Sequence, residues 1–221
     1  MRRLRRIFLA RAATTLAFAV LTTVGAWAQQ TQVSTTYIDA DDQSQTVDAY
    51  VLDGSETTLG VEGSETSVAY VANSDINFDN VLTLASDVII ILGDGKTVNF
   101  GTDTTPLTAP AIYGSNNYSL AIYSQSRGEN MGKLNIYSSN IGIQAKKLTI
   151  GGGDYTIVTS YPCLSANDDV LITGIGSMTL ESESNSAILS NYDITISGDK
   201  IVAKGQNNVI KGYIIDRKSV V

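Results

Sequence analysis

One short pattern returns five times between Ala111 and Gly212, and it limits what this chain can fold into more than any other feature. A small residue, an aliphatic, any residue and a second small residue precede a polar corner and an alternating strand. The copies are Ala111-Ile112-Tyr113-Gly114, Gly142-Ile143-Gln144-Ala145, Cys163-Leu164-Ser165-Ala166, Ala187-Ile188-Leu189-Ser190 and, more loosely, Val209-Ile210-Lys211-Gly212. The corners hold Ser115-Asn116-Asn117, Lys146-Lys147, Asn167-Asp168-Asp169 and Asn191-Tyr192-Asp193; strands with aliphatics two apart follow, as in Leu148/Ile150 and Val170/Ile172. The anchors at 143, 164, 188 and 210 are 21, 24 and 22 residues apart. The 31-residue step from 112 to 143 reads as one coil plus an insertion over Ser126–Gly132.

A period of this length, alternating by two and broken by Gly, Asn, Asp and Ser, fits a solenoid with one coil per repeat. Each coil buries its aliphatic face only against its neighbours, about 4.8 Å away. The expected fold is all-β, a single-stranded right-handed parallel β-helix of about six coils. The small residues flanking each anchor let stacked backbones turn closely.

Arg2-Arg3-Leu4-Arg5-Arg6, the apolar run Ala12–Val24 and Ala26-Trp27-Ala28 read as an export signal over residues 1–28, too short and Thr-rich for a membrane span. Arg5-Arg6-Ile7-Phe8-Leu9 also resembles part of a twin-arginine signal. Residues 29–66 are read as an acidic leader, mobile to about Ser44, and an irregular cap. Residues 67–215 form the β-helix, with Asp103–Pro110 as a loop leaving its wall. The very apolar Val88–Leu92 is expected to be buried on both faces, by the core and by a covering segment. Residues 216–221, Asp-Arg-Lys-Ser-Val-Val, break the pattern and read as a non-native tail that truncates the array in mid-repeat. A full-length chain is expected to be monomeric.

Beyond residue 28 the chain carries 10 Lys and Arg against 22 acids, a formal charge near −12. From Gln29 to Gly95 there are twelve acids and no base. Nucleic acid is an unsuitable partner, since its phosphates require a basic footprint. Acidity serves solubility or a divalent cation. One cysteine forms no internal disulfide, and with no histidine to activate it Cys163 reads as a buried small hydrophobe.

The repeats, with Leu148-Thr149-Ile150-Gly151-Gly152-Gly153, Asp193-Ile194-Thr195-Ile196-Ser197-Gly198, Val88–Phe100 and Leu120–Gln125, resemble secreted bacterial β-helix proteins of the carbohydrate-binding-domain type. The likeness is strongest from Val81 to Ile215. It implies a right-handed β-helix at the cell surface that binds plant cell-wall polysaccharide, with calcium held by acidic residues.

The residues supply candidates. Tyr is the main aromatic, eleven residues against four Phe and one Trp in the signal. Tyr123, Tyr137 and Tyr155 lie on or beside strands, where rings exposed on a flat sheet stack on sugar faces. Asp168, Asp169 and Asp193 fall on successive corners and could share a hard cation such as Ca2+. Asn117, Asn167 and Asn191 are placed to stack as an amide ladder. For a polysaccharide lyase, whose base is often Arg or Lys, the one Arg within the repeats is Arg127; Glu181 and Glu183 share a strand face but read as solvated. The leading expectation is an exported, non-catalytic module binding polysaccharide, the alternatives a stalk or adhesin binding protein partners and a partial lyase.

Overall fold

A computed structural model describes residues 31–197 and 200–216, excluding the side chains of residues 215 and 216. The export signal and all but the first residue of the expected tail lie outside the described residues. The chain is all-β, with about seven turns of stacked parallel strands forming a β-solenoid.

Three faces make each turn. The first stacks Val68–Ala72, Val88–Leu92, Leu120–Ser124, Leu148–Gly151 and Val170–Thr173. The second stacks Ile76–Phe78, Thr97–Phe100, Lys133–Ser138, Asp154–Thr159, Ser177–Ser182 and Ile201–Gly205. The third carries the sequence anchors, and their register is the spacing pattern made physical: Ile112 pairs with Ile143, Ile143 with Leu164, Leu164 with Ile188 and Ile188 with Ile210. The strand Ile188–Ser197 runs through a corner and serves the third face and then the first. The turn beyond the six expected comes from Tyr50-Val51 and Thr58–Leu59, which pair with the first regular coil.

Side chains alternate in and out along every strand, and the inward ones fuse into one core from Leu52 to Ile201. Two stacks show how like residues fill it. Phe78 and Phe100 lie ring on ring at 4.7 Å, and Leu120, Leu148 and Val170 follow one another in register. The position before the anchor must stay small for a steric reason. A Cβ on Gly142 would lie 2.4 Å from the Cys163 carbonyl oxygen of the next coil and 2.9 Å from Ile157 Cγ2.

The segment expected to be a mobile leader is instead a strand. Gln32–Ile38 pairs antiparallel with Ser44–Val51, and this hairpin lies over the outer side of the first face. Val33, Tyr37 and Val47 pack there on Ala69, Val71, Ile89 and Ile91, so Val88–Leu92 is buried on both sides as expected. The alternation Val33, Thr35, Tyr37 gives the hairpin an apolar side; its acidic turn obscures that in the sequence. Arg127 fastens the turn: Nε donates to Asp42 Oδ1 at 3.2 Å and Nη2 to the Asp39 carbonyl at 3.0 Å, while Nη1 reaches the Gly151 carbonyl at 3.2 Å. Gln125 Nε2 adds a bond to Thr35 Oγ1 at 2.8 Å.

Two predictions follow from this packing. Gly142→Ala is expected to cost about 1–3 kcal/mol by overpacking, whereas Cys163→Ala costs about 1 kcal/mol or less; urea denaturation of both variants compares them, and equal effects would refute the steric account. Arg127→Ala is expected to speed amide hydrogen exchange in Gln32–Ile38 while leaving the core strands unchanged. Uniform protection in the variant would show that the clamp is dispensable.

Candidate functional site

Outward positions on the second face form three rows that run along the solenoid axis. The middle row is Asn77, Asn99, Asn135, Thr156, Thr179 and Val202. Asn99 Nδ2 donates to Asn77 Oδ1 and Asn135 Nδ2 to Asn99 Oδ1, both at 2.9 Å, so three amides form a ladder up the wall. A neighbouring row holds Tyr137, Val158, Glu181 and Lys204, the last two joined at 2.6 Å.

Beside Tyr137 the wall acquires a rim. The loop after Phe100 leaves the coil as expected but returns at once, because Leu107 bridges to Ser138 as a parallel neighbour. The Leu107 amide donates to the Tyr137 carbonyl at 2.9 Å, the Ser139 amide to the Leu107 carbonyl at 2.8 Å, and Ser138 Oγ to the Ala109 carbonyl at 2.9 Å. At its tip the Thr105 amide donates to Thr102 Oγ1 at 2.9 Å, closing a short turn around Asp103. Gly101 permits the exit: its φ is +62°, and a Cβ would lie 2.7 Å from the Tyr137 carbonyl oxygen.

Wall and rim form a groove of about 320 Å³ lined by Asp103, Pro106, Tyr137, Val158, Ser160 and Glu183, with Ser139 beside them. Ser160 Oγ donates to Glu183 Oε2 at 2.8 Å. One partly exposed phenol ring, aliphatic contact from Val158 and Pro106, and several hydroxyl and carboxylate acceptors therefore share one concave surface. A wider cleft of about 460 Å³ lies by the insertion loop, among Arg127, Glu129, Asp154, Ser177 and Lys200, but no aromatic ring lines it.

The three tyrosines expected to share one role occupy three different environments. Tyr137 points outward on Lys133–Ser138 into the groove. Tyr123 also points outward, but the hairpin covers it: Tyr37 stacks on its ring at 4.9 Å and 18°. Burial, then the nearby Tyr37, raises its phenol above the ordinary range. Tyr155 is a correction. It faces the core at 2 % exposure, in register between Leu134 and Met178, and its hydroxyl donates to the Gly152 carbonyl at 2.6 Å. No face is left for a sugar, and burial pushes the phenol far above its usual range. The sequence held this signal, since Tyr155 and Ile157 alternate in phase with Leu134 and Ile136.

The acidic corner does not assemble. Asp169 faces Lys147 at 3.7 Å, Asp168 Oδ1 accepts from Asn167 Nδ2 at 3.3 Å, and Asp193 is exposed on the following corner. Among the described residues no three His, Cys, Asp or Glu side chains converge as a metal-holding group. The expected amide ladder forms on one rung, Asn191 Nδ2 to Asn167 Oδ1 at 3.2 Å. Asn117 cannot join it, because the corner between them carries Lys146 and Lys147.

Glu181 and Glu183 part company, one binding Lys204 and the other lining the groove. Sequence reasoning missed the groove role of Asp103 and Glu183, and no local signal marks either.

Cys163 is buried as expected, between Thr159 Oγ1 at 3.3 Å and the Ile157 carbonyl at 3.4 Å. Burial pushes its thiol from 9.0 up to about 11. Folding thus favours the protonated form. The contribution to stability is full below the unfolded thiol's value and is lost as pH rises from there through about 11. Native protein is expected to resist iodoacetamide at pH values that modify the urea-unfolded chain, as read by mass spectrometry. Equal labelling of both would contradict it.

Among the described residues no helix is long and apolar enough to cross a membrane. The chain matches no family model, no curated protein and no solved structure.

Proposed function

We propose that the chain is an exported, non-catalytic carbohydrate-binding β-solenoid that holds polysaccharide at the cell surface, in the groove beside Tyr137. The observation that carries this reading is the outward Tyr137 ring on a strand, walled by a stitched loop and flanked by Ser139 and Ser160. Sugars offer apolar C–H faces and hydroxyl edges, which call for a ring and nearby acceptors rather than a deep apolar pocket. Tyr137 and Val158 belong to strands, so little ordering of the platform is needed when a ligand arrives.

Arg127 supports binding over reaction. A lyase base must be free to meet a substrate proton, whereas the guanidinium here is bonded to Asp42, to the Asp39 and Gly151 carbonyls and to Ser124 Oγ. Among the described residues no carboxylate set is assembled to support calcium.

Tyr137→Ala is expected to weaken binding of soluble cell-wall polysaccharides about tenfold or more, the scale of a lost aromatic anchor, in affinity electrophoresis or calorimetry. A Tyr123→Ala variant, altered beneath the hairpin, is the control and should bind as the parent does. Undiminished binding by Tyr137→Ala would remove the groove from the proposal.

A further inference from the structure

The groove has a charge as well as a shape. Two carboxylates, Asp103 on the rim and Glu183 on the wall, line it, and among the described residues no Lys or Arg does. The nearest base in the Tyr137 row, Lys204, is held by Glu181 at 2.6 Å. Glu183 spends Oε2 on the Ser160 hydroxyl, an anchor that holds the carboxylate in place along the wall. Asp103 is exposed at the tip of a turn that the Thr102 side chain closes.

A uronate ring stacked on Tyr137 would bring a third negative charge beside these two, with no counter-ion among the lining residues, and like charges at short range repel. A ring bearing an ammonium group would instead form charge-assisted hydrogen bonds with one or both carboxylates. Resting on the carbohydrate-binding reading, we propose that this groove selects amino-bearing glycans over their N-acetylated and uronate counterparts. Tyr137 supplies the platform for any of the three. Asp103 and Glu183 supply the discrimination.

The test compares three soluble hexamers by calorimetry: glucosamine, N-acetylglucosamine and galacturonate. At a pH of about 5.5 carboxylates are ordinarily ionised and a sugar amine is protonated. The glucosamine hexamer should bind about tenfold tighter than the acetylated one, the scale of one charge-assisted contact, and the difference should shrink in high salt. Glu183→Gln, which keeps the shape and an acceptor for Ser160, should remove most of the preference, the loss falling on the glucosamine hexamer more than on the N-acetylglucosamine one. Asp168→Asn with Asp193→Asn, outside the groove, should leave it intact.

Equal binding of the amine and acetamide forms, tighter binding of galacturonate, or an equal loss of preference in the distant double variant would each overturn the selectivity. Such results would leave the carbohydrate-binding reading standing wherever Tyr137→Ala still weakens binding. No binding of any hexamer or polysaccharide would overturn both.

Discussion

The structure depends on one requirement: every inward aliphatic must be sealed by the coil above and the coil below. No single turn encloses a core, so burial exists only between turns and only when they hold register. A slip of one residue would send Ile143, Ile150 and Ile157 outward together, because side chains alternate with a period of two. Register is therefore enforced independently on all three faces of each coil. The Gly142 contact shows how tight the enforcement is, with neighbouring backbones too close for even a methyl group.

That rigidity governs where a binding site can arise. Regular coils present repeating rows, and rows alone are flat. Concavity comes from departures, and the loops after Phe100 and after Ser124 each border a cleft. Their fates differ because of what each touches. The first loop bonds back along Lys133–Ser138 and leaves the Tyr137 ring uncovered. From the second, Arg127 reaches away to the amino-terminal hairpin and is consumed in holding it.

Period and anchor positions were legible in the sequence because they are local: each small-aliphatic-x-small copy carries its own signature, and the coil stack follows from repetition. What was hidden depends on contacts across uneven intervals. The Asn77, Asn99 and Asn135 ladder spans steps of 22 and 36 residues, so insertions mask a row that is regular in space. Tyr155 was misassigned because aromatic type outweighed phase, although its alternation with Ile157 placed it inside. The hairpin was missed for a related reason: its apolar side is short, and the acidic turn between its strands reads as solvated chain.

The acidic surplus of the chain acquires meaning only through placement. Most carboxylates are spent locally: Asp39 accepts from the Gln43 amide and Gln45 Nε2 in the hairpin turn, Asp154 from Ser177 Oγ, and Glu181 from Lys204. Exposed contacts of this kind add little to stability, so solubility is their main effect. Asp103 and Glu183 differ in having a partly exposed ring between rim and wall and no base among their groove neighbours. A stacked sugar would exclude water from that space and lower its effective dielectric, so the same two charges would act more strongly on a bound ligand than on a passing ion. The proposed selectivity thus rests on where an aromatic ring and two carboxylates meet, not on the net charge of the protein.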